Sequence, residues 1–224
     1  MYKFLKRLID ISISVIVILI LLPFMIPIIL ILTMTGEKEV FYFQSRVGKN
    51  GKIINIFKFA TMLKNSEQIG TGIYTAKNDS RVLPFGKILR KTKINEIPQV
   101  LNILFGDISL VGPRPLIKET FDLYSDKGKE IILSVKPGLT GIGSIVFRNE
   151  DELLSNTDMK IEDFYKENIT PAKEELEMWY VANQSMILDL KIILVTAWVI
   201  VFRNDELPWK VFKDLPKNKL FQND

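Results

Sequence analysis

The residues best suited to chemistry lie between positions 90 and 115. This stretch runs from a basic cluster into Asn95 and Glu96, then through an apolar segment to a Gly-Pro-Arg-Pro turn. The arrangement brings cationic side chains and an acid together near a polyanionic ligand. A carboxylate beside such a cluster is a suitable ligand for Mg²⁺, so Glu96 is the candidate catalytic residue and metal ligand. A second acid beside Glu96 would complete a pair suited to phosphoryl transfer, and Asn95 stands at that position.

The amino-acid composition further restricts the catalytic groups that the protein could use. The 224 residues include no cysteine and no histidine, which excludes disulfides, thiolate chemistry and imidazole mechanisms. Catalysis must then use carboxylates, Lys, Arg, Tyr or hydroxyl groups with a hard metal ion. The net charge of +4 indicates an anionic partner such as a phosphate ligand or acidic lipid. No nucleic-acid-binding pattern is present, so nucleic acid is not an expected partner.

The N-terminal region predicts a membrane segment. Residues 11–34 are almost all apolar, and about 24 residues at ~1.5 Å each are long enough to span a bilayer. Pro23 and Pro27 interrupt the segment, and basic residues flank it on both sides. The positive-inside rule then favours both flanks in the cytoplasm, as in a proline-broken re-entrant helix. An ordinary kinked transmembrane helix is the alternative.

The remainder predicts an α/β protein, with a membrane anchor at 1–36 and a small mixed α/β catalytic domain at 37–224. The predicted strands are 39–43 and 53–59, and 65–80 is predicted to be a loop. Helices are predicted at 94–105, 116–135 and from 170 to about 202. The apolar end of the last helix is too short to span a bilayer. It is either core or an interfacial amphipathic helix lying on the membrane.

Several separated motifs occur together in order. They are 6–10 (Lys-Arg-Leu-Ile-Asp), 44–48 (Gln-Ser-Arg-Val-Gly), 58–62, 78–82, 95–99 (Asn-Glu-Ile-Pro-Gln), 106–115 and 136–141 (Lys-Pro-Gly-Leu-Thr-Gly). On these motifs the chain resembles the bacterial sugar transferases, the monotopic polyprenyl-phosphate hexose-1-phosphate transferases. Members of that family start the assembly of capsule, O-antigen and glycoprotein glycans. The resemblance covers roughly residues 3–148, and the order of so many motifs makes it specific.

The resemblance implies an enzyme of the bacterial inner membrane, with a re-entrant helix and an active site on the cytoplasmic face. The implied reaction moves a sugar phosphate from a UDP-sugar to polyprenyl phosphate and releases UMP. In the family it proceeds through a covalent phosphosugar on an Asp that directly precedes a Glu, with Mg²⁺ as cofactor. The expected partners are therefore UDP-sugar, polyprenyl phosphate and inner-leaflet lipid, and exposed apolar helices could pair two copies as a homodimer.

The resemblance also places cations at the substrate: Arg90, Arg114, Lys58, Arg81 and Arg148. Arg90 and Arg114 occupy the positions that face the substrate phosphates, which suits a guanidinium that can hold phosphate in bidentate fashion. Arg81 and Lys58 are second candidates. Arg148 is a candidate for holding the nucleotide or the acceptor phosphate. Asp79 is equally well explained as a structural partner of Arg81.

Asn95 departs from the family, because it stands where the nucleophilic Asp is expected. A carboxamide is a poor nucleophile and a poor ligand for a hard metal. Three alternatives follow. Another carboxylate, Glu96, Asp79 or Asp107, acts as the nucleophile, or the polyprenyl phosphate attacks the donor directly while Asn95 only forms a hydrogen bond. In the third alternative the protein is catalytically silent and serves as a scaffold that binds nucleotide sugar or lipid phosphate. Ala60, where a basic residue is usual, indicates a natural variant subgroup, and we favour an active transferase.

Overall fold

The computed structural model of the protein describes residues 1–70, 72–73, 79–202, 204 and 206–221. It is a mixed α/β protein, as predicted, with one long apolar helix near its N-terminus. The strands are β1 (Phe41–Val47), β2 (Ile53–Phe59), β3 (Ser109–Val111) and β4 (Gly138–Thr140). The α-helices are α1 (Tyr2–Met34), α2 (Pro84–Lys91), α3 (Gln99–Phe105), α4 (Lys118–Phe121), α5 (Asp126–Leu133), α6 (Ile142–Val146), α7 (Glu150–Ser155), α8 (Ile161–Phe164), α9 (Thr170–Ala182), α10 (Met186–Phe202) and α11 (Leu207–Val211).

Helix α1 is 33 residues long, which corresponds to about 50 Å. Its most apolar window has a mean hydropathy of 3.4, and only 6% of that window is buried. Length and composition therefore suffice to cross a membrane. Pro23 and Pro27 both lie inside this helix, where each removes one backbone donor.

Both ends of α1 pack against the α/β domain. Near its start, Arg7 donates to the carbonyl oxygen of Ile103 at 2.6 Å, and Asp10 accepts from the backbone N–H of Leu110 at 3.0 Å. Near its end, Leu32 is buried in an apolar cluster with residues of β2 and α2. The side chains between these two contact regions are mostly exposed. The two ends are thus attached to the same domain.

Strands β1 and β2 form an antiparallel hairpin in which Val47 pairs with Ile53 across a short 3-10 turn. The prediction for β2 is confirmed to the residue. The first strand was predicted at 39–43 but begins and ends later. Its second half carries the polar side chains of Gln44 and Arg46, which line a cleft, so the apolar pattern did not reveal it.

Strands β3 and β4 form a short parallel pair, in which Ser109 is matched with Gly138 and Val111 with Thr140. The backbone of Gly138 approaches that of Gly112 so closely that a Cβ at Gly138 would collide with it. This close approach fixes the Gly-Pro-Arg-Pro turn after β3 beside the glycine-rich bend that contains β4.

Three predicted helices are interrupted in the structure. The helix predicted at 116–135 is α4 and α5, because Ser125 caps α5 by accepting from the N–H of Gly128 at 3.0 Å. The helix predicted at 170–202 is α9 and α10, with a break after Ala182. The helix predicted at 94–105 begins with a 3-10 turn and continues as α3 after Pro98, which has no N–H to donate.

The largest apolar core lies between α6, α9 and α10. Ile142, Leu176, Ile192 and Val199 are each 2% exposed or less there. The opposite face of α10 is exposed and apolar, with Leu190, Leu194, Trp198 and Val201. In the segment predicted as a loop, residues 66–68 form a 3-10 turn, whereas 71 and 74–78 lie outside the described residues.

Candidate active site

A wide cleft of about 1270 Å³ brings most of the predicted site residues together. Its walls are the hairpin β1–β2, the segment from α2 to the following 3-10 turn, the turn after β3, and helices α7 and α9. Lys58, Arg90, Asn95, Glu96, Arg114 and Arg148 all line it. Arg81 does not.

Glu96 ends a 3-10 turn, and its side chain is 17% exposed in the cleft. One oxygen of its carboxylate accepts a hydrogen bond from Nη2 of Arg114 at 3.2 Å. Burial alone would raise the pKa of Glu96, but the charges of Arg114, Lys58 and Lys93 outweigh burial and lower that pKa to about 2. Glu96 is therefore ionised throughout the physiological pH range.

The cations around Glu96 are crowded. Burial lowers the pKa of Lys58 well below its usual range, and repulsion by Arg46 lowers it further. Burial likewise lowers the pKa of Arg46 to about 10, with repulsion from Arg114 as the next cause. Burial and the charges of Arg114 and Arg90 lower the pKa of Lys93, although Glu96 opposes them. Such mutual repulsion is relieved when an anion enters the cleft.

Arg90 and Arg148 also line the cleft. Arg90 lies at the end of α2, and its Nη1 is 3.5 Å from the sulfur of Met62. Burial lowers the pKa of Arg90, and attraction by Asp151 partly offsets that effect. Arg148 donates to the carbonyl oxygen of Val199 in α10. Arg148 is thus hydrogen-bonded to α10, a helix of the largest apolar core.

Asn95 is 8% exposed and lies beside Glu96 at the cleft. Its side-chain oxygen is buried and has no hydrogen-bond partner within the described residues. A buried acceptor left in this state costs free energy unless a ligand or water donates to it. This position carries no negative charge, which leaves Glu96 as the carboxylate paired with Arg114.

Arg81 lies outside the cleft and is 3% exposed. Its guanidinium is paired with Asp79 at 2.5 Å and donates to the backbone carbonyl oxygens of Ser66, Ile69 and Gly72. These bonds fold the segment after β2 around the guanidinium. The structure therefore agrees with the alternative in which Asp79 is a structural partner of Arg81.

Several residues of the cleft wall were not among the predicted site residues; besides Arg46 and Lys93, they include Lys173, Glu150, Tyr165 and Glu177. Lys173 of α9 donates to Glu150 at 2.7 Å and to the hydroxyl of Tyr165 at 3.2 Å. One turn along α9, Glu177 accepts from the backbone N–H of Arg114 at 3.1 Å. The sequence places Lys173 and Glu177 four positions apart, on one face of a predicted helix. Nothing in the sequence showed that this face is buried.

The side chains of the cleft could hold Mg²⁺ only together with phosphate oxygens of a substrate. No group of three or more His, Cys, Asp or Glu side chains could hold a metal ion among the residues that the structure describes. Glu96 supplies a single ionised carboxylate. Mg²⁺ commonly binds through one or two carboxylates together with substrate phosphates. Glu96 is therefore compatible with a Mg²⁺ ion that enters with a phosphate ligand.

The structure thus combines a cation-rich cleft with an N-terminal helix that is long and apolar enough to cross a membrane. Residues 1–203 match the family model described as bacterial sugar transferase. The chain belongs to this family, and the resemblance drawn from its motifs is confirmed.

Curated relatives agree with the family assignment. The chain is 31% identical over 216 residues to the undecaprenyl-phosphate galactose phosphotransferase of Salmonella typhimurium, covering 90% of this chain and 41% of that protein. It is 34% identical over 193 residues to the uncharacterized sugar transferase EpsL of Bacillus subtilis, covering 86% and 85%. It is 35% identical over 169 residues to the UDP-glucose:undecaprenyl-phosphate glucose-1-phosphate transferase of Klebsiella pneumoniae, covering 73% and 33%. The chain thus spans less than half the length of the first and third relatives.

Proposed function

We propose that the protein transfers a sugar 1-phosphate from a UDP-sugar to polyprenyl phosphate, giving polyprenyl-diphosphate-sugar and UMP. This would be the first membrane step of polysaccharide or glycoconjugate synthesis. The observation that carries the proposal is the Glu96–Arg114 ion pair in a cleft crowded with further cations. The names of the relatives from Salmonella and Klebsiella, which act on undecaprenyl phosphate, support it.

The cations suit this reaction because phosphoryl transfer accumulates negative charge on the transferred group. Fixed positive charges in a partly water-excluded cleft stabilise that charge without reorganising at the moment of reaction. Arg114 is held in place through its backbone by Glu177 and through its guanidinium by Glu96. Arg90, Lys58 and Arg46 add positive charge on the surrounding walls.

We propose Mg²⁺ as the cofactor, held by Glu96 together with substrate phosphates. When bound, it would offset negative charge on the phosphates. Removal of the metal with EDTA should abolish UMP release, and added MgCl₂ should restore it. Substrate-dependent binding of Mn²⁺, followed by its paramagnetic relaxation of water, should be lost in Glu96→Gln. Equal Mn²⁺ binding by this variant would contradict the metal role of Glu96.

For the membrane arrangement, we propose that α1 enters and leaves the cytoplasmic leaflet of the bacterial inner membrane as a re-entrant helix. Its support is that both ends of α1 contact one domain: Lys6 pairs with Asp189 of α10 at 2.5 Å, and Leu32 packs near α2. Contacts of both ends with one domain favour a helix whose two ends lie on the same side of the membrane. The exposed apolar face of α10, including Trp198, would lie at the interface. A homodimer would use the same face.

The absence of cysteine makes this topology directly testable. Single variants Lys3→Cys and Lys52→Cys would be placed in inverted and right-side-out membrane vesicles with a thiol reagent that cannot cross membranes. We expect both cysteines to react only when the cytoplasmic face is outside. Reaction of Lys3→Cys from the opposite face would instead establish a transmembrane helix.

The activity is tested with purified protein, undecaprenyl phosphate, MgCl₂ and UDP-glucose, UDP-galactose or UDP-N-acetylgalactosamine in turn. UMP release should appear with at least one donor and should require the lipid. Glu96→Gln should reduce it by about 10²-fold, whereas Lys52→Gln, at an exposed position on the hairpin turn, should not. Full activity of Glu96→Gln would contradict the assignment of this carboxylate.

A silent scaffold is the second candidate, and the neutral Asn95 is the observation that favours it. The cations of the cleft would then bind nucleotide sugar or lipid phosphate without turnover. Retained binding of all three donors, with no UMP release from any of them, would favour the scaffold over the transferase.

A further inference from the structure

The hairpin of β1 and β2 has two faces of different character. Successive side chains of a strand point to opposite faces, and Gln44, Arg46 and Lys58 line the cleft. The other face carries Phe43 and Phe57, which lie directly opposite each other in the hairpin register. The hairpin therefore presents polar side chains to the cleft and aromatic side chains away from it.

Three aromatic rings form a continuous exposed surface, called here the aromatic patch. The ring centroid of Phe57 is 5.1 Å from that of Phe43 and 6.4 Å from that of Phe105 at the end of α3, and both pairs are edge-to-face. Phe43 is 58% exposed and Phe105 is 65% exposed. Single exposed apolar side chains are normal, whereas a contiguous exposed group of this kind indicates an interaction surface.

The aromatic patch is held rigidly by the fold. Asn102 of α3 is fully buried, and its side chain accepts from the backbone N–H of Phe57 at 2.9 Å and donates to the carbonyl oxygen of Asn55 at 2.7 Å. These two bonds fix α3, and with it Phe105, beside β2. The exposure of the rings is thus built into the backbone arrangement.

Two cations lie beside the aromatic patch. Arg7 of α1 donates to the carbonyl oxygen of Leu104 at 2.8 Å, directly before Phe105 in the chain. A Cβ on Gly106, the next residue, would lie 3.2 Å from Nη2 of Arg7 and 3.2 Å from Nζ of Lys136. The guanidinium and the ammonium therefore meet over the residue that follows Phe105.

The ammonium of Lys136 forms no hydrogen bond or ion pair within the described part of the chain. Burial lowers its pKa, and repulsion by Arg7 and Lys49 lowers it further, although Asp10 and Asp107 oppose the shift. Both carboxylates already accept hydrogen bonds from other groups of the fold. A phosphate group above Arg7 and Lys136 would give Lys136 a partner and relieve the repulsion between the two cations.

The position of Arg7 relates this surface to the membrane segment. Arg7 lies just before the apolar residues 11–34 of α1, and a basic side chain at such a place lies at the level of the lipid headgroups. Because Arg7 is bonded to the end of α3, Phe105 lies at a similar depth. Surfaces that combine Phe side chains with Lys or Arg are typical of proteins that lie in the membrane interface.

We propose that the aromatic patch is inserted into the interfacial region of the membrane, with Arg7 and Lys136 on the phosphate of an anionic phospholipid. The inference requires α1 to be in the membrane, and it does not depend on the transferase reaction. A second copy of the chain could also cover the rings. Symmetric pairing through this surface would however bring the cations of both copies towards each other, so the structure favours lipid.

Depth-dependent fluorescence quenching tests the insertion, and the absence of cysteine allows single-site labelling. Phe43→Cys and Phe105→Cys are each labelled with an environment-sensitive fluorophore, in nanodiscs whose lipids carry a nitroxide near the headgroup. Both labels should be quenched, as should a label at Ile16→Cys within α1. A label at Glu175→Cys, on the exposed side of α9, should not be quenched.

Two results would overturn the insertion. One is quenching at Ile16→Cys with none at Phe43→Cys or Phe105→Cys, which would leave the aromatic patch in water. The other is blue-shifted emission at these two positions without quenching, which would mean that protein covers the rings. Neither result bears on UMP release, so the proposed transferase activity is tested separately.

The headgroup contact is tested with two quenching lipids at equal mole fraction, nitroxide-labelled phosphatidylglycerol and nitroxide-labelled phosphatidylcholine. At Phe105→Cys, quenching should indicate about two- to fivefold local enrichment of the anionic lipid. Adding Lys136→Gln should remove the enrichment and Lys136→Arg should keep it, whereas Lys118→Gln, at an exposed position on α4, should not alter it. Equal quenching by both lipids with Lys136 present, or enrichment that persists in Lys136→Gln, would overturn the headgroup assignment.

Discussion

Two Arg–carboxylate pairs of this protein have the same chemistry and opposite surroundings. Arg81 and Asp79 have side chains that are 4% and 6% exposed, and Arg81 also donates to three backbone carbonyl oxygens. Arg114 and Glu96 have side chains that are 36% and 17% exposed, and their guanidinium–carboxylate contact is a single 3.2 Å hydrogen bond. The Arg81 guanidinium uses its N–H donors for hydrogen bonds within the fold. The Arg114 guanidinium keeps N–H donors that face the cleft.

The difference shows how a structural arginine can be separated from one that binds substrate. A guanidinium has five N–H donors, and a fold that needs the residue for stability uses most of them. Around Glu96 the neighbouring cations repel one another, which a structural network would avoid. Incomplete pairing in a cleft is therefore a stronger indication of function than the presence of an ion pair.

Replacing Arg114 should have the largest effect. Arg114→Gln should lower UMP release by about 10²–10³-fold, because a fixed cation is lost from the transferred group. Lys58 and Lys93 would still attract Glu96, so the unfolding temperature should change little. Thermal unfolding in detergent and the lipid-dependent assay measure the two quantities. A large loss of stability with normal activity of the folded protein would reverse the roles assigned to the two pairs.

Arg81→Gln should show the opposite pattern. It leaves Asp79 buried without its partner and three carbonyl oxygens without a donor, so the free energy of unfolding should fall by about 3 kcal/mol. The KM values of the remaining folded protein should stay close to those of the wild type. Unchanged stability together with a raised KM for either substrate would place Arg81 at the substrate after all.

The sequence indicated residues that line the cleft better than it indicated their surroundings. Glu96, Arg90 and Arg114 were predicted as site residues because they fall in one motif-rich stretch, and all three line the cleft. Lys173 and Glu177 were missed because they are distant in sequence and reach the cleft only through the packing of α9. Arg81 was ranked below Arg114, but the sequence alone did not decide between a substrate role and a structural pairing with Asp79.

The secondary-structure predictions were likewise correct where a local pattern decided and wrong where contacts between distant residues decided. Strand β2 was predicted to the residue because its apolar pattern is bounded by a glycine-containing turn. The interruptions of the predicted helices depend on local bonds. The break before α5 needs the Ser125 cap, and Ser125 is itself held by Glu174 of α9 through its backbone N–H at 2.8 Å. Propensity cannot show a contact between residues so far apart.

Among the described residues, no side chain of opposite charge forms an ion pair with Glu177, which is buried. Burial raises its pKa from 4.5 to about 7, although the N–H of Arg114 and the charge of Lys173 oppose the shift. Between these values the folded protein holds a proton that the unfolded chain releases. The stability of the wild type relative to Glu177→Gln should therefore fall by on the order of 3 kcal/mol as pH rises through this window, and stay constant above it.

Unfolding temperatures measured at several values from pH 4.5 to pH 8 would reveal that slope. Glu175→Gln, on the exposed side of the same helix, controls for the substitution itself. A stability difference that is independent of pH would show that Glu177 is ionised throughout and that its environment is more polar than its burial indicates.

Lys118 and Asp122 form an exposed ion pair. Replacing Lys118 should have the smallest effect on stability and activity. Their side chains are 68% and 50% exposed, one turn apart on the surface near α4. Water and salt screen such a pair, so Lys118→Gln should change the free energy of unfolding by no more than about 0.5 kcal/mol and leave UMP release unaltered. The short contact of 2.6 Å does not change this expectation, since exposure decides how much of the attraction survives. A change as large as that of Arg81→Gln would mean that distance matters more than surroundings, and the distinction between the two arginines would lose its physical basis.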